Sequence, residues 1–294
     1  MAYNRPASFI PEVWAGTVLS RLNDALVFGQ VVNRDYEGDI RGFGDVVKIN
    51  EIGPITVNTY NATSTSALTV QSLSDAQKLL QINQSKYFAF WIDDIDAAQT
   101  KPKLMSEAMR EASWSLANNI DEYIAALYAE AGLVAAGSRS GSTITGQDIT
   151  STNILKYLSI AAQKLDENNV PQMGRWMVVP PWMGHKMILA NIVQDTNNSQ
   201  VLSNGLLGRG MYGFDIYVSN NITNGTPAAD DACVMFGYRG SISLAVQVTR
   251  VETARPALDG GFKTLVKGLV VYGAKVVRPN ALGVMYADYT AEAS

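Results

Sequence analysis

Histidine and cysteine are almost missing from this chain: His185 and Cys233 are each the sole residue of their kind in 294. A single cysteine excludes any disulfide within the chain and any cluster of metal-bound thiolates. Charge is also scarce, at 17% of residues, where a quarter is usual. The formal net charge of −4, with an isoelectric point near 5.1, and the lack of any basic stripe argue against a protein built to grip phosphate backbones. Lys101 and Lys103 come closest to a basic pair, and a solvated helix start accounts for them. Long hydrophobic runs are absent too, being broken by Pro180, Pro181 or glycine well before eighteen residues, and Met1 to Trp14 has no basic segment followed by an apolar one. The expectation is a soluble product that is not exported.

What the chain does have is apolar material, 47% of residues, enough for one large or two ordinary domains. Residues 1 to 30 open with Arg5-Pro6-Ala7-Ser8-Phe9-Ile10-Pro11, a stiffened extended lead, followed by Val13, Trp14, Val18, Leu19 and Leu22 at helical spacing. From Gly44 the period becomes two, with Val47 and Ile49 alternating against Lys48 and Asn50, then Gly53-Pro54, then Ile55 and Val57. Asn58 to Ala67, with Tyr60 inside it, has the small polar composition of a loop tip. A return through Leu68, Val70 and Leu73 leads into one alternating strand in which Leu80, Ile82, Phe88, Phe90 and Ile92 share a face. Such a two-stranded excursion is marginal alone in water, so its stability has to come from contact with something else, and assembly is the first hypothesis.

Thr100-Lys101-Pro102 reads as a helix start, and Gly132 as its stop. The 30 residues from 102 to 131 would span about 45 Å. Their apolar stripe is Leu104, Ala108, Ala112, Leu116, Ile120, Ile124, Leu127 and Ala131. A mixed module follows, with a helix from Thr152 to Asn168, a buried strand Trp176 to Val179, a helix after Pro181, a glycine-rich loop, a strand Phe214 to Val218 and another around Val234. Two long strands, Ser241 to Thr253 and Leu265 to Val277, then return to pack on the long helix.

Catalytic readings fare poorly. His185, in Pro180-Pro181-Trp182-Met183-Gly184-His185, has no nucleophile motif to serve. Asp93, Asp94 and Asp96 could offer oxygen ligands to a hard cation, but acidic residues ahead of a helix are explained by its dipole. Gly208-Arg209-Gly210-Met211-Tyr212-Gly213 matches the dinucleotide fingerprint in form only, because a strand and not a helix follows it; these glycines read as a mobile or tightly turned loop. Lys86-Tyr87-Phe88-Ala89-Phe90-Trp91 interleaves aromatics with a base as a single-strand binder does, yet sheet packing explains the alternation. No catalytic residue, cofactor or metal is expected.

The order of arm, extended hairpin, long helix, mixed module and returning strands resembles a tailed-bacteriophage major capsid protein with the HK97 fold, an α+β architecture. Local strings carry the resemblance: Phe9-Ile10-Pro11-Glu12-Val13-Trp14, Val32-Asn33-Arg34-Asp35-Tyr36, Lys86-Tyr87-Phe88-Ala89-Phe90, Gly213-Phe214-Asp215-Ile216-Tyr217-Val218-Ser219-Asn220 and Tyr272-Gly273-Ala274-Lys275-Val276-Val277-Arg278-Pro279. The resemblance implies an N-arm over residues 1–30, an E-loop over about 44–90, and a spine helix over about 102–131 within a P-domain region 31–137. It further implies an A-domain over 138–235, with the glycine loop from Asp195 to Gly213 nearest the capsomer axis, and P-domain return strands over 236–294. A P-loop would lie from Glu252 to Lys263. Subunit contacts would then fall on Phe9, Ile10, Trp14, Val57, Tyr60, Leu68, Val70, Gly208, Gly210, Arg255, Asp259 and Lys263. Implied partners are further copies of the chain as hexamers and pentamers, with portal, scaffolding and cement proteins. Packaged DNA would be met only through non-specific proximity, and no membrane is involved. A separate scaffolding protein follows from the lack of a long N-terminal extension; no lysine–asparagine pair for cross-linking is identified. An encapsulin-like compartment and a soluble α/β enzyme are the alternatives.

Overall fold

The computed structural model describes residues 26–36, 44–52, 75–93, 103–141, 143–190, 206–223, 231–254 and 263–290. Its first organising element is the pair of long antiparallel strands expected near the C-terminus, β12 (Ile242–Ala254) and β13 (Lys263–Val276), with β3 (Gln84–Asp93) pairing antiparallel along the other edge of β13. Strand alternation gives this three-stranded sheet two faces, and both are covered for part of their length. Ile242, Leu244, Val246, Val270, Tyr272, Ala274 and Val276 point into the main core beneath the long helix α2 (Lys103–Ala125). Ala245, Val271 and Val277 point the opposite way.

On that opposite face sits the root of the hairpin. Strands β1 (Val46–Ile52) and β2 (Asp75–Gln81) pair antiparallel in register Val46 to Gln81, and Val47, Ile49, Leu80 and Ile82 are buried against Ala245, Val271 and Val277. The ribbon's root is therefore stabilised by its own chain, which corrects the expectation that the whole excursion depends on outside contact. Residues 53–74 lie outside the described residues. The expected single strand from Leu80 to Ile92 is two strands, broken at Ile82-Asn83. Leu80 and Ile82 face the hairpin side, whereas Phe88 and Phe90 turn to the helix side and pack near Met109, Val251 and Val266. The break swaps the buried face.

α2 stops at Ala125 and tightens into a 3₁₀ turn, Ala126–Glu130, so the expected helix to Ala131 changes geometry for its last residues. The buried stripe is Met109, Ser113, Leu116, Ala117, Ile120, Asp121, Ile124 and Ala125. Ala108 and Ala112, expected inside, are only partly covered. The stripe is rotated because two polar residues, Ser113 and Asp121, belong to it. Ser113 satisfies its hydroxyl by donating to the Met109 carbonyl at 2.7 Å.

The mixed module is a sheet in the order β4-β14-β11-β8-β10-β9, with β7 also paired to β14. Its strands are β4 (Leu133–Ala136), β7 (Gln147–Ile149), β8 (Arg175–Val179), β9 (Leu206–Met211), β10 (Phe214–Val218), β11 (Ala232–Tyr238) and β14 (Leu282–Tyr289). A small hairpin, β5 (Ser138–Ser140) with β6 (Thr143–Thr145), stands beside it. Helices α3 (Ile154–Glu167) and α4 (Pro181–Leu189) bury Leu158, Ala161, Leu165, Met183 and Met187 in the same core. The last strand, β14, enters the mixed sheet between β4 and β11, buried on both faces over Leu282 to Ala287.

Two cations are used as internal ties. Arg175, almost fully buried, binds the Asp166 carboxylate at 2.6 Å and the Pro171 carbonyl at 3.0 Å, fixing the turn from α3 to β8. The Lys186 ammonium donates to the carbonyls of Ile149 and Thr290 and lies 4.8 Å from the Tyr289 ring centroid, joining α4 to the ends of β7 and β14.

Gly273 is where the hairpin root crosses β13. A Cβ there would stand 2.2 Å from the Gln81 carbonyl oxygen and 3.2 Å from the Ile82 Cα, both backbone atoms that cannot swing aside. The variant Gly273→Val should lower the stability of the unassembled chain by about 1–3 kcal/mol through overpacking, read as a lower urea midpoint; an unchanged midpoint would refute the close crossing.

Candidate assembly surfaces

Two described features are rigid and project toward solvent. The hairpin root shows Val46 and Leu79 on its outer face, each nearly half exposed, opposite the buried Val47, Ile49 and Leu80. Strand β3 shows Tyr87, 77% exposed, and Trp91, 50% exposed, on the face turned away from α2, opposite Leu269 and Leu265 of β13. Trp114 on α2 and Met173 in the turn before β8 add further exposed apolar side chains. Single exposed apolar residues are ordinary; a Tyr-Ala-Trp row along an edge strand of a sheet is less so, because such edges invite pairing.

The residues expected at subunit contacts separate into three groups. Phe9, Ile10 and Trp14 lie outside the described residues, as do Val57, Tyr60, Leu68, Val70, Arg255 and Asp259. Gly208 and Gly210 lie on β9, which pairs antiparallel with β10. The stretch expected as loop up to Gly213 is therefore strand from Leu206 onward. Its turn is Tyr212-Gly213, at φ 51° and 81°, the two consecutive left-handed residues of a tight hairpin. Lys263 opens β13 directly opposite Asp93 of β3. Among the described residues, Gly208 and Gly210 lie on one sheet and Lys263 on another.

Of the positions weighed for chemistry, Asp94 and Asp96 lie outside the described residues. His185 is exposed on α4, and among the described residues no group of three or more His, Cys, Asp or Glu could hold a metal ion. The glycine fingerprint runs from strand through turn to strand, with no helix start to cradle a phosphate. Cys233 is buried on β11 beside Ile144, Val284 and Tyr286. Burial pushes its thiol up to about 12, with the Asp231 carboxylate adding to the rise and the Arg139 guanidinium opposing it. A thiol held protonated is a poor nucleophile.

Sequence reasoning missed Asp121, a carboxylate buried within the stripe of α2. Its oxygens accept from the backbone N–H of Val27 at 2.8 Å and of Gly29 at 3.3 Å, so it fastens the short helix α1 (Phe28–Val31) to the long one. The available signal was position: Asp121 falls between Ala117 and Ile124 or Ala125 at helical spacing.

Comparison with known proteins fits a shell component. Residues 80–285 match a family model described as phage capsid protein. Among solved structures, one from Mycobacterium phage Che8 is 27% identical and superposes with a TM-score of 0.67, covering 97% of this chain and 98% of that one. The capsid of cyanophage P-SCSP1u is 19% identical at a TM-score of 0.67, covering 91% and 89%. A virus-like particle from Pyrococcus furiosus, 12% identical at a TM-score of 0.54 over 93% and 98%, shares the fold. Curated protein sequences give no match. The family model spans well over half of the chain, which therefore belongs to the phage capsid protein family, as a major capsid protein with the HK97-like fold.

The buried thiol gives a direct test of the packing around β11. Native protein should react with a disulfide reagent such as DTNB at least tenfold more slowly than the urea-unfolded chain; equal rates would place Cys233 at the surface.

Proposed function

We propose that this chain builds an icosahedral shell of hexamers and pentamers around packaged double-stranded DNA, and that it does so mechanically, without catalysis. The observation that carries this reading is the hairpin: its root is anchored to the outer face of the β12–β13 pair, while the residues between its strands, 53–74, contain no charged side chain and include Ile55, Val57, Tyr60, Leu68, Val70 and Leu73. An uncharged, β-prone ribbon on a rigid root suits docking on a sibling subunit.

In this reading residues 1–30 act as the N-arm, about 44–90 as the E-loop, and about 102–131 as the spine. Residues 138–235 form the A-domain, and the strands of 236–294 complete the P-domain, although β14 contributes its hydrogen bonds to the sheet of the A-domain. Phe9, Ile10, Trp14, Val57, Tyr60, Leu68 and Val70 supply apolar docking between copies. Gly208 and Gly210 lie toward the capsomer axis; Arg255, Asp259 and Lys263 belong to the turn at threefold contacts. Many weak contacts per subunit permit correction during growth and hold the closed shell through effective concentration. A slightly acidic chain also limits trapping of the genome on the wall. A portal, a scaffolding protein and a cement protein complete the particle, which assembles in the host cytoplasm.

Replacing residues 53–74 by a short glycine linker should leave the unfolding free energy from urea titration within about 1 kcal/mol of the parent, since the root strands β1 and β2 remain. Negative-stain electron microscopy should then show no closed particles. Particles of normal size from that variant would remove the hairpin from the assembly mechanism.

A further inference from the structure

Where the hairpin root, the mixed module and the link from β13 to β14 meet, the surface holds a cleft of about 380 Å³. That volume lies in the range of small-ligand sites. Two cations stand in its wall, Lys78 from β2 and Arg278 from the link, together with the amides of Asn169 and Asn280 and the phenol of Tyr238. Among the described residues no carboxylate lines it. In a chain of formal net charge −4 such a composition is not what chance exposure supplies.

Backbone bonds hold the walls in place. The Arg278 N–H donates to the Ser241 carbonyl at 3.1 Å, the Arg278 carbonyl accepts from the Ala281 N–H at 3.0 Å, and the Pro279 carbonyl accepts from the Gly132 N–H at 3.0 Å. The Lys78 ammonium donates to the Val277 carbonyl, which holds its charge one residue along the chain from Arg278. In the turn from α3 to β8, Asn169 lies in the left-handed region at φ 54°, a conformation asparagine tolerates, and its N–H donates to the Asp166 carbonyl at 2.9 Å.

Two features of α3 would oppose an anion here, and both are offset. Its last carbonyls carry the negative end of the helix dipole. They are already covered: that of Leu165 accepts from the N–H groups of Asn168 and Val170 at 3.2 and 3.0 Å, and that of Lys164 from the Asn168 amide at 2.9 Å. Its last acidic side chains are engaged elsewhere, Asp166 with Arg175 at 2.6 Å and Glu167 with Lys164 at 3.4 Å.

We propose that this cleft is an oxyanion site that takes a free phosphate-type anion, a diphosphate group in particular, and through it joins the hairpin root to the mixed module. Arg278 offers a guanidinium fork that pairs two oxygens at once, Lys78 adds a point charge, and the Asn169 and Asn280 amides donate to the oxygens that remain. The bound anion touches β2, the α3–β8 turn and the β13–β14 link together, so its binding opposes any movement of one against the others.

The test is hydrogen exchange on the full chain with added pyrophosphate, at constant pH and at an ionic strength held fixed with sodium chloride. Peptides over residues 166–173 and 276–282 should slow together and saturably, by about tenfold when pyrophosphate stands at about ten times its dissociation constant. Peptides from the middle of α2 should not change. Arg278→Gln should raise the half-saturating concentration roughly tenfold, the worth of one hydrogen bond to a charged group. Asn169→Gly keeps the left-handed backbone, removes only the amide, and should raise that concentration by a smaller factor. Lys156→Gln, at an exposed position of α3 away from the cleft lining, should respond as the parent does. No saturable slowing, slowing spread evenly over the chain, or an undiminished response in both cleft variants would each overturn the site. Protection that appears without pyrophosphate and grows with protein concentration would assign the cleft to a carboxylate of a second copy and overturn a free anion as its occupant. The readout does not depend on particles forming, so a failure here is separable from a failure of the shell reading.

Discussion

The two-sided use of the β12–β13 pair is the constraint on which the rest of the structure depends. Even-numbered residues from Val270 to Val276 hold the long helix, and Val271 and Val277 hold the hairpin root. A strand has only these two faces, so both partners are fixed at once by a single alternating sequence. A one-residue slip would exchange Tyr272 and Val271 and displace helix and hairpin together. The placement of the hairpin root is thus tied to the same strand pair that holds the core.

Much of this architecture is legible in the sequence where one face is wet. Phe214 to Val218 alternates and is a strand with those bounds, and the helix after Pro181 is present as read; the apolar run from Trp176 is also a strand, although it is buried on both faces. Legibility fails where tertiary context decides. Leu282 to Ala287 is buried on both faces and lacks alternation, so nothing local marks it as the strand between β4 and β11. The break at Ile82-Asn83 is invisible because Leu80 and Phe88 keep the same parity, and only the partner sheets reveal that they face opposite ways.

The candidate surfaces follow the same division. The polar tip composition and the uncharged flanks of the hairpin can be read directly, since solubility and turn chemistry act locally. Asp121 shows only through its place in the apolar stripe, because a charged residue in a helix is usually solvated, and its burial depends on a chain segment more than ninety positions earlier. Likewise the glycines at 208 and 210 suggested a turn, while the turn itself is formed by Tyr212 and Gly213. Glycine content marks permission for tight geometry, without saying which residue uses it.

The placement of β14 has a consequence for synthesis on the ribosome. Its strand closes the mixed sheet by pairing with β11, β4 and β7, segments made up to about 150 residues earlier. Until Leu282–Tyr289 has been made, β4 and β11 each keep an open edge and the sheet between them is missing its middle. A prematurely terminated polypeptide therefore lacks a completed module to offer its neighbours. The mixed sheet thus closes around a strand that is translated after all of its partners.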